Sequence, residues 1–277
     1  MGAVAGVDAG AVLEWGGPRL RDLPWRATRD PWAILVAEVM LQQTQAQRVI
    51  GRWLDVCVRY PTPADFAVAP LAEILRSWQG LGYPRRARNL HDAATAMVER
   101  HGGRVPDTME ELRALPGIGP YTARAVLAFA YECDAAVVDT NIARLLARVG
   151  GRRLTPKRVQ AAADALVPHG EGWAWNQALM DLGAAVCRPA PRCSECPLAE
   201  SCSWHGEGHP EPDPATGSAG VSSPQAPYEG SERQRRGRVL RALTDGPELA
   251  ADHPPATVAS LVADRLVVTD GVWLRLP

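Results

Sequence analysis

The sequence predicts an all-α core, and three observations carry that prediction. From about residue 8 to 186, apolar residues recur at helical spacing or sit in Ala-rich stretches. Glycine-containing turns punctuate these stretches at 80–82, 102–103 and 150–151. No convincing strand pattern occurs before residue 260, so the helices must bury their apolar faces against one another.

Asp30-Pro31 reads as an N-cap followed by proline at the first helical position, opening a largely apolar segment from Trp32 to Leu41. Further helical segments are expected over 65–79, 86–101, 107–114, 120–131, 140–149, 155–168 and 173–186. Residues 205–227 are rich in Pro, Gly, Ser and acidic side chains, a composition that predicts a flexible linker. SERQRRGRVLRAL (231–243) reads as a helix with five arginines, and TVASLVADRL (257–266) as a second helix. LVVTDGVWLRL (266–276) holds two short β-like runs around Asp270-Gly271, a strong hairpin signal. Residues 228–277 therefore suit a small winged-helix-like unit, or a tail that adopts this order only in part.

With 277 residues the chain is long enough for one large domain or two smaller ones. No apolar run is long enough to span a bilayer, and the N-terminus lacks a basic segment followed by an apolar one. A cytosolic protein with no membrane partner is expected. The net charge of −1 argues against a uniformly basic nucleic-acid binder. Lys157 is the one lysine, however, and every other basic residue is an arginine, whose planar donors suit phosphate.

The turn in LPGIGPYTARAV (115–126) separates two helical segments. Gly117 and Gly119 are expected to take positive φ and to expose successive N–H groups, with Pro120 in the first turn of the following helix. N–H groups beside a helix N-terminus form an anion site, and in a helix–hairpin–helix the usual ligand is a DNA phosphate. Such a grip positions DNA without reading its sequence. An ordinary αα turn would look much the same.

Two carboxylates stand out. Asp139, in VVDTNIARLLARV, begins a helix, where it would serve as N-cap or point its charge outward beside the hairpin. A fixed negative charge near a DNA strand is unfavourable unless a cation forms there, as a sugar oxocarbenium ion does. Glu38, in WAILVAEVMLQQT, sits among apolar neighbours. It either marks the polar edge of its helix or, if buried, stays protonated as a general acid. One protonated and one ionised carboxyl is an arrangement that breaks glycosidic bonds.

Cys57 and Cys133 stand alone in apolar stretches, as small core residues do. Cys187, Cys193, Cys196 and Cys202 form a C-x5-C-x2-C-x5-C array. Four clustered thiols in a cytosolic chain read as a metal site, and both tetrahedral zinc and a [4Fe–4S] cluster accept them.

These motifs together carry a resemblance. LPWR (23–26), EVMLQQTQ (38–45), GLGYPRRARNL (80–90), LPGIGPYTA (115–123), VVDTNIAR (137–144) and WNQALMDLGAAVC (175–187) resemble, in order and spacing, the helix–hairpin–helix DNA glycosylases with a C-terminal iron–sulfur loop. Within that superfamily the chain is similar to the MutY adenine DNA glycosylases. The resemblance spans about residues 13–204 and implies a two-lobed glycosylase core over 1–204, with the cluster loop at 187–202.

It also implies roles. Glu38 is the acid that protonates the leaving adenine, and Asp139 stabilises or transiently bonds the deoxyribose cation. Tyr121 and Asn141 support the sugar and the attacking water. Leu23, Trp25, Arg26 and Gln177 line or approach the adenine pocket. Gln43 and Tyr83 wedge into the duplex, while Gly117 and Gly119 grip its backbone. Cys187, Cys193, Cys196 and Cys202 hold a [4Fe–4S] cluster, and Arg188 and Arg192 of its loop face DNA. The implied partner is double-stranded DNA carrying a mispaired adenine, met by a monomer at the nucleoid. Similar enzymes that also cut the strand carry a lysine directly after the hairpin, whose amine attacks the sugar. Tyr121, a phenol with a pKa of about 10, is a poor nucleophile, which implies base removal without strand cleavage.

Three departures from the MutY pattern stand in this chain. Five rather than six residues separate the first two array cysteines, Pro84 replaces a second tyrosine after Tyr83, and 228–277 is too short for the larger 8-oxoguanine-recognising domain. The competing readings are a thymine–guanine mismatch glycosylase of the same superfamily, a non-catalytic iron–sulfur DNA-binding protein and a structural zinc protein.

Overall fold

The computed structural model describes residues 7–221 and 226–277. In chain order its helices are α1 (Ala9–Gly16), α2 (Pro31–Leu41), α3 (Ala46–Arg59), α4 (Pro63–Val68), α5 (Leu71–Ser77), α6 (Arg85–His101) and α7 (Met109–Ala114). They continue with α8 (Pro120–Phe129), α9 (Thr140–Val149), α10 (Pro156–Asp164), α11 (Gly172–Ala185), α12 (Ser203–Gly206), α13 (Glu232–Asp245) and α14 (Pro255–Ala263). Short strands β1 (Glu248–Leu249), β2 (Val268–Thr269) and β3 (Trp273–Arg275) form one antiparallel sheet in the order β1–β3–β2. The helical core expected from the sequence is present. Among the described residues no helix is long and apolar enough to cross a membrane.

The fold divides into two compact units, each discontinuous in sequence. One comprises residues 1–29 and 120–224, the other 30–119 and 225–277. In the first, α9 and α11 supply the centre of an apolar core that includes Val12, Ile142, Leu145, Leu146, Trp175, Leu179, Leu182 and Leu198. Residues after α12, read from composition as linker, make specific contacts here. Asp213 pairs with Arg148 at 2.6 Å, Ser218 accepts the Leu154 N–H at 3.0 Å, and Ala215 is buried.

In the second unit, α2 is buried along nearly its whole length, as a helix apolar on every side should be. Asp30 caps it by accepting the Trp32 N–H at 2.8 Å. Trp32 and Tyr60 each pack edge-on against Phe66, with ring centroids 5.3 Å apart. The segment expected as one helix over 65–79 is instead α4 and α5, because Pro70 provides no N–H and interrupts the ladder. The C-terminal residues belong to this unit. Their two helices and hairpin occur as the sequence indicates, and Asp270 holds the turn by accepting the Trp273 and Val272 N–H groups. β1 is a strand lying before residue 260, where none is evident in the sequence. Its two residues, paired with Leu274 and Trp273, are too few to leave an alternating pattern. Of the isolated cysteines, Cys57 is half-buried but Cys133 is exposed, since it lies beyond the end of α8.

Candidate active site

Asp139 is the N-cap of α9. Its Oδ1 accepts the backbone N–H groups of Asn141 at 2.9 Å and Ile142 at 2.7 Å, and its Oδ2 accepts the Asn141 side-chain amide at 2.8 Å. Burial raises the carboxyl's pKa, while the Ile142 and Asn141 donors and the Arg144 charge act in the opposite direction. The Asn141 side chain is fixed at its other end too, because its Oδ1 accepts from Arg144 at 2.8 Å. Arg144 also donates to the carbonyl of Gly183 at 2.7 Å and to that of Cys187 at 2.6 Å. A chain of hydrogen bonds thus runs from Asp139 through Asn141 and Arg144 to the first cysteine of the array.

The approach of α11 to this point depends on Gly183. A Cβ there would lie 2.7 Å from the Asn141 Cβ and 2.9 Å from its carbonyl carbon and oxygen. Such contacts force the neighbour to shift, so α11 can support the first turn of α9 this closely only with glycine at 183.

In the same unit, Leu23 and Trp25 are buried around a short 3-10 turn, Pro24–Arg26. Arg26 forms a bidentate pair with Asp181 of α11 at 2.7 and 2.9 Å, and Arg21 joins it through both its backbone and its side chain. Burial pushes the Asp181 carboxyl up, but the Arg26 and Arg21 donors outweigh it and hold the carboxyl below its ordinary range. Gln177 is buried one turn before Asp181 on the same helix face. Tyr121, in the first turn of α8, is half-buried.

Glu38 lies in α2 of the second unit and is 5% exposed, which removes the reading of it as a residue on a polar edge. Gln43 and Tyr83 occupy two turns of this unit, and both have left-handed backbones, with φ of 56° and 49°. Non-glycine residues pay about 1–3 kcal/mol for such a conformation and hold it where the surroundings dictate it. Arg86 supplies those surroundings. Buried at 7% exposure, it donates to the carbonyls of Val39 and Met40 at the end of α2 and to those of Leu81 and Gly82 before Tyr83. It also reaches the Thr44 hydroxyl at 3.0 Å, which in turn donates to the Leu81 carbonyl. In GLGYPRRARNL the signal that marks Arg86 is its position directly after the turn.

The hairpin glycines differ from one another. Gly117 takes φ of 75°, and a Cβ there would lie 2.6 Å from the Asn89 Cβ. Gly119 is not in the left-handed region, and a Cβ at 119 would meet no described atom within 4 Å. The expectation of two positive-φ glycines is corrected to one, because a single left-handed residue already turns the chain from α7 toward α8.

Cys187, Cys193, Cys196 and Cys202 line one cavity together with Arg148 and Trp204, so the five-residue spacing brings all four to a common site. Burial pushes the thiols of Cys187 and Cys202 up, and that of Cys196 up to about 11, with neighbouring cysteines adding to the rise. Arg148 opposes this at Cys187. It donates to the Arg188 and Pro189 carbonyls of the loop, and its guanidinium stacks 4.5 Å from the Trp204 ring centroid. Buried thiols that repel one another as anions fit a cationic metal group that takes them as thiolates. Cys193 also belongs to a second set, with His205 and His209, whose ligand atoms all lie within 4.8 Å of one another.

Comparison with known proteins gives consistent relatives. Residues 36–169 match the family of HhH-GPD superfamily base excision DNA repair proteins. An adenine DNA glycosylase of Mycobacterium tuberculosis H37Rv is 47% identical over 242 residues, 84% of this chain and 77% of that protein. Among solved structures, a thermostable thymine-DNA glycosylase superposes with a TM-score of 0.67 at 32% identity, covering 72% of this chain and 95% of its own. An endonuclease III in non-covalent complex with DNA gives a TM-score of 0.63 at 25% identity, over 73% and 98% of the two chains.

Proposed function

The chain belongs to the adenine DNA glycosylases of the HhH-GPD superfamily of base excision DNA repair proteins, and from that premise we propose that it removes adenine mispaired with guanine or 8-oxoguanine in duplex DNA. The N-glycosidic bond is hydrolysed and an abasic site is left.

Adenine leaves deoxyribose readily only when protonated, and the proton must reach a base extruded from the stack. Glu38 donates it, because burial of a carboxyl favours its uncharged form. Electron density then leaves the anomeric carbon with the base, and the sugar becomes an oxocarbenium ion. Asp139 faces that cation as carboxylate, aimed by its α9 cap and by the Asn141 amide. Asn141 and Tyr121 orient the water that completes the hydrolysis. Tyr121 offers no amine for a Schiff base, so the strand stays intact. Leu23, Trp25 and Gln177 shape the adenine pocket. Arg26, committed to Asp181, stiffens its wall. Gln43 and Tyr83 enter the duplex as wedges, and Gly117 and Gly119 grip the backbone.

We assign a [4Fe–4S] cluster to Cys187, Cys193, Cys196 and Cys202, since all four share one cavity. When bound, the cluster neutralises the thiolates and ties the loop together. Arg148 and Arg144 hold that loop to α9, and Arg188 and Arg192 extend from it toward DNA. The enzyme acts as a monomer on nucleoid DNA in the cytoplasm.

The observation that carries this reading is the fixed Asp139 carboxylate at the start of α9, joined to Asn141. The test is alkali-revealed cleavage of A:8-oxoguanine, A:G and T:G duplexes. Cleavage at adenine in the first two is expected, and cleavage at thymine in the third alone would replace this reading with the mismatch alternative. A brown protein with broad absorption in the visible blue is expected, and a colourless zinc protein contradicts the cluster.

A further inference from the structure

We propose that the C-terminal residues 226–277 serve excision by holding Tyr83 in place, with Arg233 as the positioning residue that reaches from α13 to the tyrosine's phenol. The inference rests on the proposed role of Tyr83 as a wedge.

Arg233 lies in the first turn of α13, which Ser231 caps. One of its terminal nitrogens donates to the Tyr83 hydroxyl at 3.0 Å, and the other to the Ala226 carbonyl at 2.6 Å. A guanidinium held at both prongs is a directional donor, unlike a solvated surface cation. The Tyr83 ring also has the Arg86 guanidinium 5.6 Å from its centroid. Arg86 therefore sets the base of the side chain and Arg233 its tip.

The base from which Arg233 reaches is anchored to α6, directly after Tyr83. Asp264, just past α14, accepts Arg85 at 2.6 Å and is paired with Arg236 of α13. Arg88 donates to the Asp264 carbonyl, and Arg265 pairs with Asp92. The Pro277 carbonyl accepts the Ala72 N–H at 3.1 Å. Three of the five arginines of α13 (235, 238 and 241) remain exposed, whereas Arg233 and Arg236 are partly buried. The inward pair reaches the tyrosine and Asp264, whereas Arg235 pairs locally with Glu232 and the Gly230 carbonyl.

A left-handed backbone at Tyr83 leaves its ring dependent on such contacts. Ordering the ring before DNA arrives removes the rotamer freedom that insertion would otherwise take away.

The test is a double-mutant cycle in the full chain: wild type, Arg233→Met, Tyr83→Phe and the double variant. Single-turnover excision from an A:8-oxoguanine duplex is measured alongside fluorescence of a 2-aminopurine placed beside the target, which reports unstacking. Each single variant is expected to slow excision and reduce the fluorescence rise about 3- to 10-fold, and the double variant to lose no more than either alone. Arg233→Lys, which keeps the charge on a single donating nitrogen but loses the two-pronged fork, should recover part of the loss. Additive losses, or a drop of about one in the salt dependence of binding on removing Arg233, would overturn the proposal and make Arg233 a phosphate contact. Wild-type behaviour of Arg233→Met beside an impaired Tyr83→Ala overturns this inference alone. Wild-type behaviour of Tyr83→Ala overturns the wedge reading and this inference with it.

Discussion

Replacing Arg86 by methionine tests whether one buried cation holds the two turns that carry Gln43 and Tyr83. The substitution keeps an unbranched stem of similar reach and deletes the guanidinium. Burial lowers the Arg86 pKa to about 10, so the group is cationic at neutral pH. It donates to four backbone carbonyls at 2.7 to 3.0 Å and to the Thr44 hydroxyl at 3.0 Å. Hydrogen bonds to a charged group contribute about 1.5–3 kcal/mol each. The sum overstates the loss, because removing a buried cation also removes several kcal/mol of desolvation. What remains is the loss of the guanidinium's bonds to the Val39, Met40 and Gly82 carbonyls, while the Leu81 carbonyl keeps the Thr44 hydroxyl. Each buried carbonyl left without its donor costs about 1–3 kcal/mol, so a loss of about 3–5 kcal/mol is expected for Arg86→Met. At about 2–4 °C per kcal/mol for a chain near this size, Tm should fall by about 6–20 °C. Thermal unfolding followed by tryptophan fluorescence measures it, with Trp78 a nearby reporter. Arg86→Lys should recover only part, since an ammonium has three donors and no planar fork. A Met variant within about 1 kcal/mol of wild type would refute the idea that this cation organises the turns.

Three further outcomes follow from the site. Asp139→Asn should gain stability relative to wild type as pH rises from 4 to 8. The folded carboxyl is raised by burial, so its favourable contribution is complete below the unfolded value of about 3.9 and is lost as pH rises through the folded one, by about 1.4 kcal/mol per unit of displacement. Urea titrations at several pH values check this, and a flat difference contradicts it. Gly183→Ala should place a methyl against Asn141 and slow single-turnover excision by about 100-fold while visible cluster absorbance is kept; an unchanged rate would show that α11 simply yields. Asp181→Ala should leave Arg26 buried beside no counter-charge and destabilise the protein by about 3–5 kcal/mol in denaturant titrations, and a change below about 1 kcal/mol would count against that pair.

Local pattern made much of this molecule legible. Asp30 and Asp139 are read as caps because an N-cap is a one-residue signal followed at once by its helix. The four clustered cysteines are read as a candidate metal site from their spacing, and the fold brings all four to one cavity. Helix α3 is not evident in the sequence although Val49, Trp53 and Val56 recur at helical intervals, because Gly51 and three arginines interrupt its apolar character. The contacts that organise the site were harder to see, since their partners are remote in sequence. Arg86 meets carbonyls of Val39 and Met40, and Arg26 meets Asp181, 155 positions away. A buried arginine looks the same as an exposed one in sequence, and carbonyl acceptors have no residue identity. Gly183 is legible only once α11 is laid against Asn141. Likewise, that residues 225–277 pack with 30–119 depends on ion pairs such as Arg85–Asp264, not on any periodicity.

The central claim is that two carboxylates, Glu38 and Asp139, break the N-glycosidic bond together. The most direct measurement is the single-turnover rate of adenine release from an A:8-oxoguanine duplex by Glu38→Gln and Asp139→Asn, with duplex affinity measured in parallel. Each variant should lose at least about 100-fold in rate and bind the duplex nearly as wild type does. A rate within tenfold of wild type for either one, at unchanged affinity, would contradict the account.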